Sequence, residues 1–273
     1  MKARTNEMIN RALIVTGRFG FMPREVFWKH ISRFGRSENY INWTRLKASG
    51  LFKPYPGQDG FLHLSRAGIH ALQNQDQIYV GRSNPIYFVH DQLVMSVALA
   101  CENLNLIKSG WACDAVLRSL SNVELVKIFG GSADKIPDLI FDLKDCGNQT
   151  RIALEIERSR KSGAKYDALV LSYMDMRSVN LVIIAYTDAY IERQIRHSMK
   201  RLGYPQSQRP IALCKVSDLI ETPGVFPISV NGNVIGFDRL VSNLRKLEAE
   251  QSRNCPDKIK ELNPQLSPES GAA

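Results

Sequence analysis

Apolar positions at helical spacing mark the start of the chain, where NEMINRALIVTGRFG sets Ile9, Leu13 and Thr16 on one face. Pro23 then opens a second helix, PREVFWKHI, at a first helical position, where its missing N–H is no loss. A third helix is predicted in ENYINWTRLKAS. Ser37 is its cap, Trp43 and Leu46 lie three apart and face inward, and Gly50 ends it as a left-handed C-terminal residue does. LFKPY and FLHLS alternate on either side of the turn-rich PGQDG, which predicts a hairpin, and SRAGIHALQ begins one more helix. Residues 73–88, QNQDQIYVGRSNPIYF, are polar, hold Gly81 and Pro85, and read as a linker.

The rhythm changes after the linker. HDQLVMSVALACENLNLI, from 90 onward, is a long helix with Leu93, Val97, Ala100 and Leu104 at helical spacing. A segment containing WACDAVLRSL and a charged, Gly-rich stretch, KIFGGSADK, lead to IPDLIFDLKDCGNQTRIALEIERS, which reads as two strands joined by the polar loop KDCGNQ. A helix (GAKYDALVLSYMDM), an apolar strand (NLVIIAY), a helix (AYIERQIRHSMKRLG) and a last strand (PIALCKV) follow. Helices interleaved with strands predict an α/β sheet domain. The expected organisation is a first domain over 1–80, an α/β domain over 81–248, and a polar, proline-bearing tail over 249–273 that is expected to be disordered.

Composition narrows the class. A chain of 273 residues suits two domains better than one, and 44% hydrophobic with 23% charged residues excludes collagen-like and low-complexity proteins. No apolar run approaches the ~18 residues that span a bilayer, since NLVIIAY is soon interrupted by Asp188 and Glu192. The first twenty residues carry Lys2, Arg4, Glu7 and Arg11 without an apolar block, so a cytoplasmic location is expected. Cys101, Cys113, Cys146, Cys214 and Cys255 form no CxxC pair, which argues against a disulfide framework or zinc site and for free thiols. Nucleotide-binding Gly-rich motifs, a nucleophile elbow, HExxH and a histidine cluster are missing from the sequence, which disfavours those enzyme classes.

Charge is distributed unevenly. Lys and Arg number 36 against 27 Asp and Glu, a net +9, and residues 1–80 alone hold 12 basic against 5 acidic side chains. A basic first module suggests a polyanion partner, with nucleic acid ahead of membrane; solubility is the other reading. Three helices, a hairpin and a closing helix within about seventy residues resemble a winged helix-turn-helix, with RLKASGLFKPY and FLHLSRAGIHAL carrying the likeness. That resemblance implies a third helix in the major groove, with Arg36, Asn42 and Arg45 on its exposed side as the DNA-binding residues. Winged helices also serve as protein-interaction modules, and then these side chains are merely solvated.

The chemistry lies in the second half. Side chains alternate along a strand, so Leu139, Phe141 and Leu143 share one face and Asp138 and Ile140 the other. In the following strand Ile152, Leu154 and Ile156 share one face, and Ala153, Glu155 and Glu157 the opposite one. Pairing the apolar faces turns Asp138, Glu155 and Glu157 the same way. Three like charges gathered there are costly unless protons or a cation bridge them, and grouped oxygen ligands suit Mg²⁺ or Mn²⁺. Such an ion can acidify a bound water and stabilise a scissile phosphate, so phosphodiester cleavage is the expected reaction. The plainer reading is that Pro137-Asp138 only starts a strand and that Glu155-Ile156-Glu157 is an exposed face.

This pattern resembles the PD-(D/E)xK nuclease superfamily, whose core is a helix, a three-stranded meander, a helix and a further strand. More narrowly, a winged helix, a His-initiated helix, a Trp-x-x-acid segment, PD, E-x-acid and a helix with Lys and Tyr resemble the replication-relaxation family and the C-type mobilisation relaxases over about residues 8–216. The resemblance implies a restriction-endonuclease-like mixed-sheet domain behind the winged helix. It implies Asp138, Glu155 and Glu157 as metal ligands and catalytic residues, with Glu157 standing where ordinary members carry Lys. A carboxylate cannot do the work of an ammonium, so either Glu157 is a further ligand or the site is inactive. Lys165, at i and i+8 with Tyr173 on the next helix, is the candidate replacement, with Lys161 nearer in sequence; His90 and Asp114 match further positions of the family. The implied activity is Mg²⁺-dependent nicking by a relaxase at a plasmid or integrative-element transfer origin, with an accessory mobilisation protein as a candidate partner. Two alternatives stand beside it: a non-catalytic DNA-binding regulator or replication accessory, and a double-strand-cutting endonuclease with paired active centres.

Overall fold

The computed structural model describes residues 2–131, 135–144, 150–204, 210–222, 224–230, 232–243 and 246. The expected tail at 249–273, all of the predicted loop after Lys144, and Cys146 and Cys255 lie outside them. Cys101, Cys113 and Cys214 are buried free thiols. Among the described residues no helix is long and apolar enough to cross a membrane.

The first lobe is helical with a small sheet. Helix α1 (Lys2–Phe19) is followed by β1 (Met22–Pro23), α2 (Arg24–Val26) and a π-helical turn over Phe27–Ser32. Pro23 therefore does not sit inside a helix as expected. It ends β1 opposite Phe61, and its extended backbone caps α2. Arg33 stops the π-helical turn in the left-handed region, at φ 58°. Helix α3 (Arg36–Ala48) is entered from Gly35, so Ser37 is inside the helix and is not its cap. Gly50 does take the left-handed conformation expected of a stop, with φ +76°. Strands β2 (Phe52–Pro54) and β3 (Phe61–Leu64) form the predicted hairpin, and β1 joins them in the order β1-β3-β2. Ser65 caps α4 (Arg66–Gln73) by accepting from the Gly68 amide at 3.1 Å.

Among the described residues the second lobe is a seven-stranded mixed sheet. Helix α5 (Phe88–Asn103) leads into β4 (Ile107–Cys113), and α6 (Asp114–Leu117) and α7 (Asn122–Phe129) precede β5 (Leu139–Leu143) and β6 (Arg151–Glu157). Helix α8 (Gly163–Met174), β7 (Leu181–Tyr186), α9 (Ala189–Arg201), β8 (Ile211–Lys215), α10 (Val216–Glu221) and the hairpin β9 (Pro227–Val230) and β10 (Asn233–Gly236) complete it. The sheet order is β10-β9-β8-β7-β6-β5-β4. β4, β5 and β6 are an antiparallel meander, whereas β7 lies parallel to both β6 and β8. Parallel pairing requires a crossover, and α8 and α9 supply the two.

Both faces of this sheet are covered, which explains the all-buried pattern of β7. Leu139, Phe141, Leu143, Ile152, Leu154 and Ile156 belong to one core, which continues without a break into Phe21, Phe27, Trp43 and Leu46 of the first lobe. Ile140 and Ala153 face the other core, under Tyr166 and Tyr173 of α8 and Ile191 and Ile195 of α9.

The expected linker is tied down along its length. The Val80 amide donates to the Gly17 carbonyl at 3.0 Å, and the Tyr55 hydroxyl donates to the Ser83 carbonyl. Asn84 caps a 3₁₀ turn over Pro85–Tyr87 that runs into α5. Phe88, the first residue of α5, stacks on Phe21 with ring centroids 4.1 Å apart and on Phe61 at 4.9 Å. The start of the second lobe's first helix is thus anchored in the first lobe's core.

Candidate active site

The last registered pair between β5 and β6 is Leu139 with Leu154. One step further stand Asp138, just before its strand, and Glu155. The Asp138 carboxylate reaches across to accept the Ile156 amide at 2.6 Å. This bond is available because β5 ends there and leaves the β6 amide without a ladder partner. Glu155 and Glu157 point to the same side as Ala153, beneath α8, as the alternation predicts. All three carboxylates are buried, at 8%, 3% and 2% exposure, and line one cavity of about 790 Å³ with His90, Lys135 and Lys161.

Each carboxylate is matched by a cation of the chain. His90, in the first turn of α5, donates from Nε2 to Asp138 at 3.2 Å and from Nδ1 to Asp91 at 3.2 Å. Lys135, in the segment leading into Asp138, places its ammonium 2.6 Å from Glu155 Oε1. The Tyr173 hydroxyl, on α8, donates to Glu155 Oε2 at 2.8 Å. Lys161 donates to Glu157 Oε1 at 2.5 Å.

Burial, reinforced by the charge of Asp138, raises the Glu155 carboxyl to about 7 against the opposing pull of Lys135 and Tyr173. Burial likewise holds the Tyr173 hydroxyl well above its usual range. Burial alone would depress His90, but the hydrogen bonds to Asp138 and Asp91 outweigh it and raise the imidazole to about 10. His90 is therefore an imidazolium at neutral pH. Its folded value exceeds the ordinary 6.5, so its pairing stabilises fully below pH 6.5 and that stability is lost as pH rises through about 10. Thermal melts of the wild type should consequently fall between pH 6.5 and 10 relative to His90→Gln, with the two curves converging at the alkaline end. Parallel curves would remove the ion pair from this account.

The sequence-derived site is brought together in part. Asp138, Glu155, Glu157, His90 and Tyr173 converge, and Asp114, paired with Arg118 at 2.8 Å, lies at the rim of the cavity. Lys165 does not join them, because it is exposed in the first turn of α8 and lies away from the cavity lining. The expected three-carboxylate ion trap is not formed either. Among the described residues no group of three or more His, Cys, Asp and Glu side chains is spaced to hold one ion. Glu157 is drawn to Lys161 instead. Lys135 was missed by pattern reading, since it lies outside every predicted helix and strand and no period places it; its one signal was a charged stretch running directly into Pro137-Asp138.

On α3, Arg36 and Arg45 are exposed as expected, together with Tyr40 and Ile41. Asn42 is not. It is 4% exposed, donates to Ser32 Oγ at 2.9 Å and accepts from Arg45 at 3.1 Å, so its amide is spent inside the lobe.

No protein-family model and no curated protein matches the chain. Among solved structures, restriction endonuclease FokI bound to DNA aligns at 9% identity, over 81% of this chain and 44% of that one, with a TM-score of 0.28. FokI without DNA aligns at 10% identity over 81% and 43%, with a TM-score of 0.26. TrmBL2, an archaeal chromatin protein, aligns at 10% identity over 90% and 92%, with a TM-score of 0.19. The chain thus spans less than half the length of the FokI chains. Likenesses this weak carry no argument, and the reading of function rests on the site itself.

Proposed function

We propose that the protein is a metal-dependent DNA-processing enzyme that binds through its first lobe and nicks one strand at the Asp138–Glu155 site, acting as a mobilisation relaxase at a transfer origin. The observation that carries this reading is the placement of Asp138 and Glu155 at adjoining strand ends, buried, facing one cavity together with cations. A buried carboxylate is retained at that cost where its charge is used. The donor chemistry fits a hard divalent ion: Asp138 and Glu155 offer the oxygen ligands that Mg²⁺ or Mn²⁺ prefers, and Glu155 already draws an ammonium to itself. Such an ion, held by Asp138 and Glu155, would supply charge stabilisation at a phosphate and an acidified water. Glu157, paired with Lys161, orients that lysine at the cavity wall. Tyr173 orients Glu155, and His90 holds Asp138. In hydrolysis the water oxygen bonds to phosphorus, the bond from phosphorus to one ester oxygen breaks, and that oxygen departs with a proton.

The basic first lobe supports DNA as the partner, with Arg36 and Arg45 on the exposed face of α3 as phosphate or base contacts. Arg45→Ala should weaken DNA binding several-fold and lower the slope of log affinity against log salt by about 1. Unchanged affinity and slope would take α3 off the DNA.

The test of the whole reading is incubation of supercoiled plasmid carrying the cognate origin with Mg²⁺. Open-circular product is expected, and linear product would instead indicate a double-strand cutter with paired centres. One observation favours a second reading. His90, Lys135 and Lys161 already partner the three acids of the cavity. A DNA-binding regulator or replication accessory built on such a scaffold would bind DNA and leave it intact.

A further inference from the structure

Glu157 stands where a nuclease of this kind would carry a lysine, and Lys165 is exposed and outside the cavity. An ammonium is nevertheless present. Lys135 comes three residues before Asp138, from outside the strands, and its side chain is 31% exposed while its partner Glu155 is 4% exposed. The ammonium thus touches the buried carboxylate on one side and opens to the cavity on the other. The charges of Asp138 and Glu157 also act on it, whereas Lys161 donates to Glu157.

We propose that Lys135 is the catalytic ammonium of this site, facing the reacting phosphate and stabilising the charge that builds on its oxygens. This rests on the phosphodiesterase reading above and deepens it. The ammonium in this cavity is delivered by the segment before β5 and not by β6. The same position sets up a competition. Lys135 and a divalent ion both seek the oxygens of Glu155, so the lysine weakens ion binding in the resting protein and is free to meet the phosphate once Glu155 is engaged elsewhere.

The experiment uses the full chain and three variants, with plasmid nicking, DNA affinity and Mn²⁺ titration calorimetry as readouts. Lys135→Met should nick about 100-fold more slowly, the scale on which one charge-stabilising donor acts. It should bind DNA within about twofold of wild type and bind Mn²⁺ about tenfold more tightly, since a positive charge beside the ligand is gone. Lys135→Arg keeps the charge beside Glu155, and with it the fold, but not the compact ammonium, and should nick about tenfold more slowly. Nicking unchanged in both variants overturns the assignment. So does weaker Mn²⁺ binding in Lys135→Met, which would make the lysine only a prop for Glu155, and so does a large loss in Lys165→Met with Lys135→Met active. Wild-type protein that neither nicks nor takes up Mn²⁺ fails the underlying reading, and these results are distinguishable from a failure of Lys135 alone.

Discussion

Asp138→Ala should abolish nicking, lowering its rate by about 10³-fold or more, while DNA affinity stays within a few-fold of wild type. The size follows from the chemistry: a metal-assisted phosphate reaction draws several kcal/mol from charge stabilisation at the metal, and each ~1.4 kcal/mol is a decade in rate. In the structure Asp138 lines the cavity and accepts from the Ile156 amide and the His90 imidazolium. Alanine removes both, so Asp138→Asn is the necessary companion. Its amide oxygen still accepts from Ile156 and keeps the β5–β6 junction, yet it lacks the charge. Equal loss of nicking in the two variants, with only Asp138→Ala less stable, assigns the loss to charge. Nicking that survives Asp138→Asn removes Asp138 from the proposed site and moves the reaction away from this cavity, whereas wild-type protein that binds DNA without nicking it returns the protein to the regulator reading.

The site was legible in sequence as far as periodicity reaches. The two-residue period of LIFDL and RIALEIE fixes which side chains share a face, and the two cores divide these residues as that period demands. Outside the strands the pattern fixes less. Lys165 and Tyr173 were placed together because they are eight apart, but eight residues at 100° each leave them ~80° apart around a helix, and only Tyr173 reaches Glu155. Asn42 was set on the exposed side of α3 although it neighbours Trp43 in sequence. The inward stripe is wider than two residues, and the Ser32 hydroxyl gives a buried amide its partner. The β9–β10 hairpin was overlooked despite the Asn231-Gly232 turn signal between FPISV and NVIG. Lys135 lies in a coil, where only three-dimensional structure can say what a charged side chain meets.

The start of α5 is packed into the core of the first lobe. Phe88 is 4% exposed and stacks on both Phe21 and Phe61, whose own ring centroids are 5.9 Å apart, with Tyr55 edge-on at 4.9 Å. Phe88→Ala should cost about 3–5 kcal/mol by denaturant unfolding, the range for deleting a buried aromatic ring, whereas Phe88→Leu keeps most of the volume and should cost about 1–2. Its position adds a second consequence. Phe88 begins α5, and His90, two residues on, holds Asp138 across the cavity. The same junction is tied by Tyr55 to the Ser83 carbonyl and by Ser83 Oγ to Asp91 at 3.1 Å. Loosening that helix start should free His90, so nicking per folded molecule should fall in Phe88→Ala under conditions where the variant is fully folded. If stability drops as expected but the folded fraction nicks at the wild-type rate, the packing of the first lobe supports the fold alone and does not position the site.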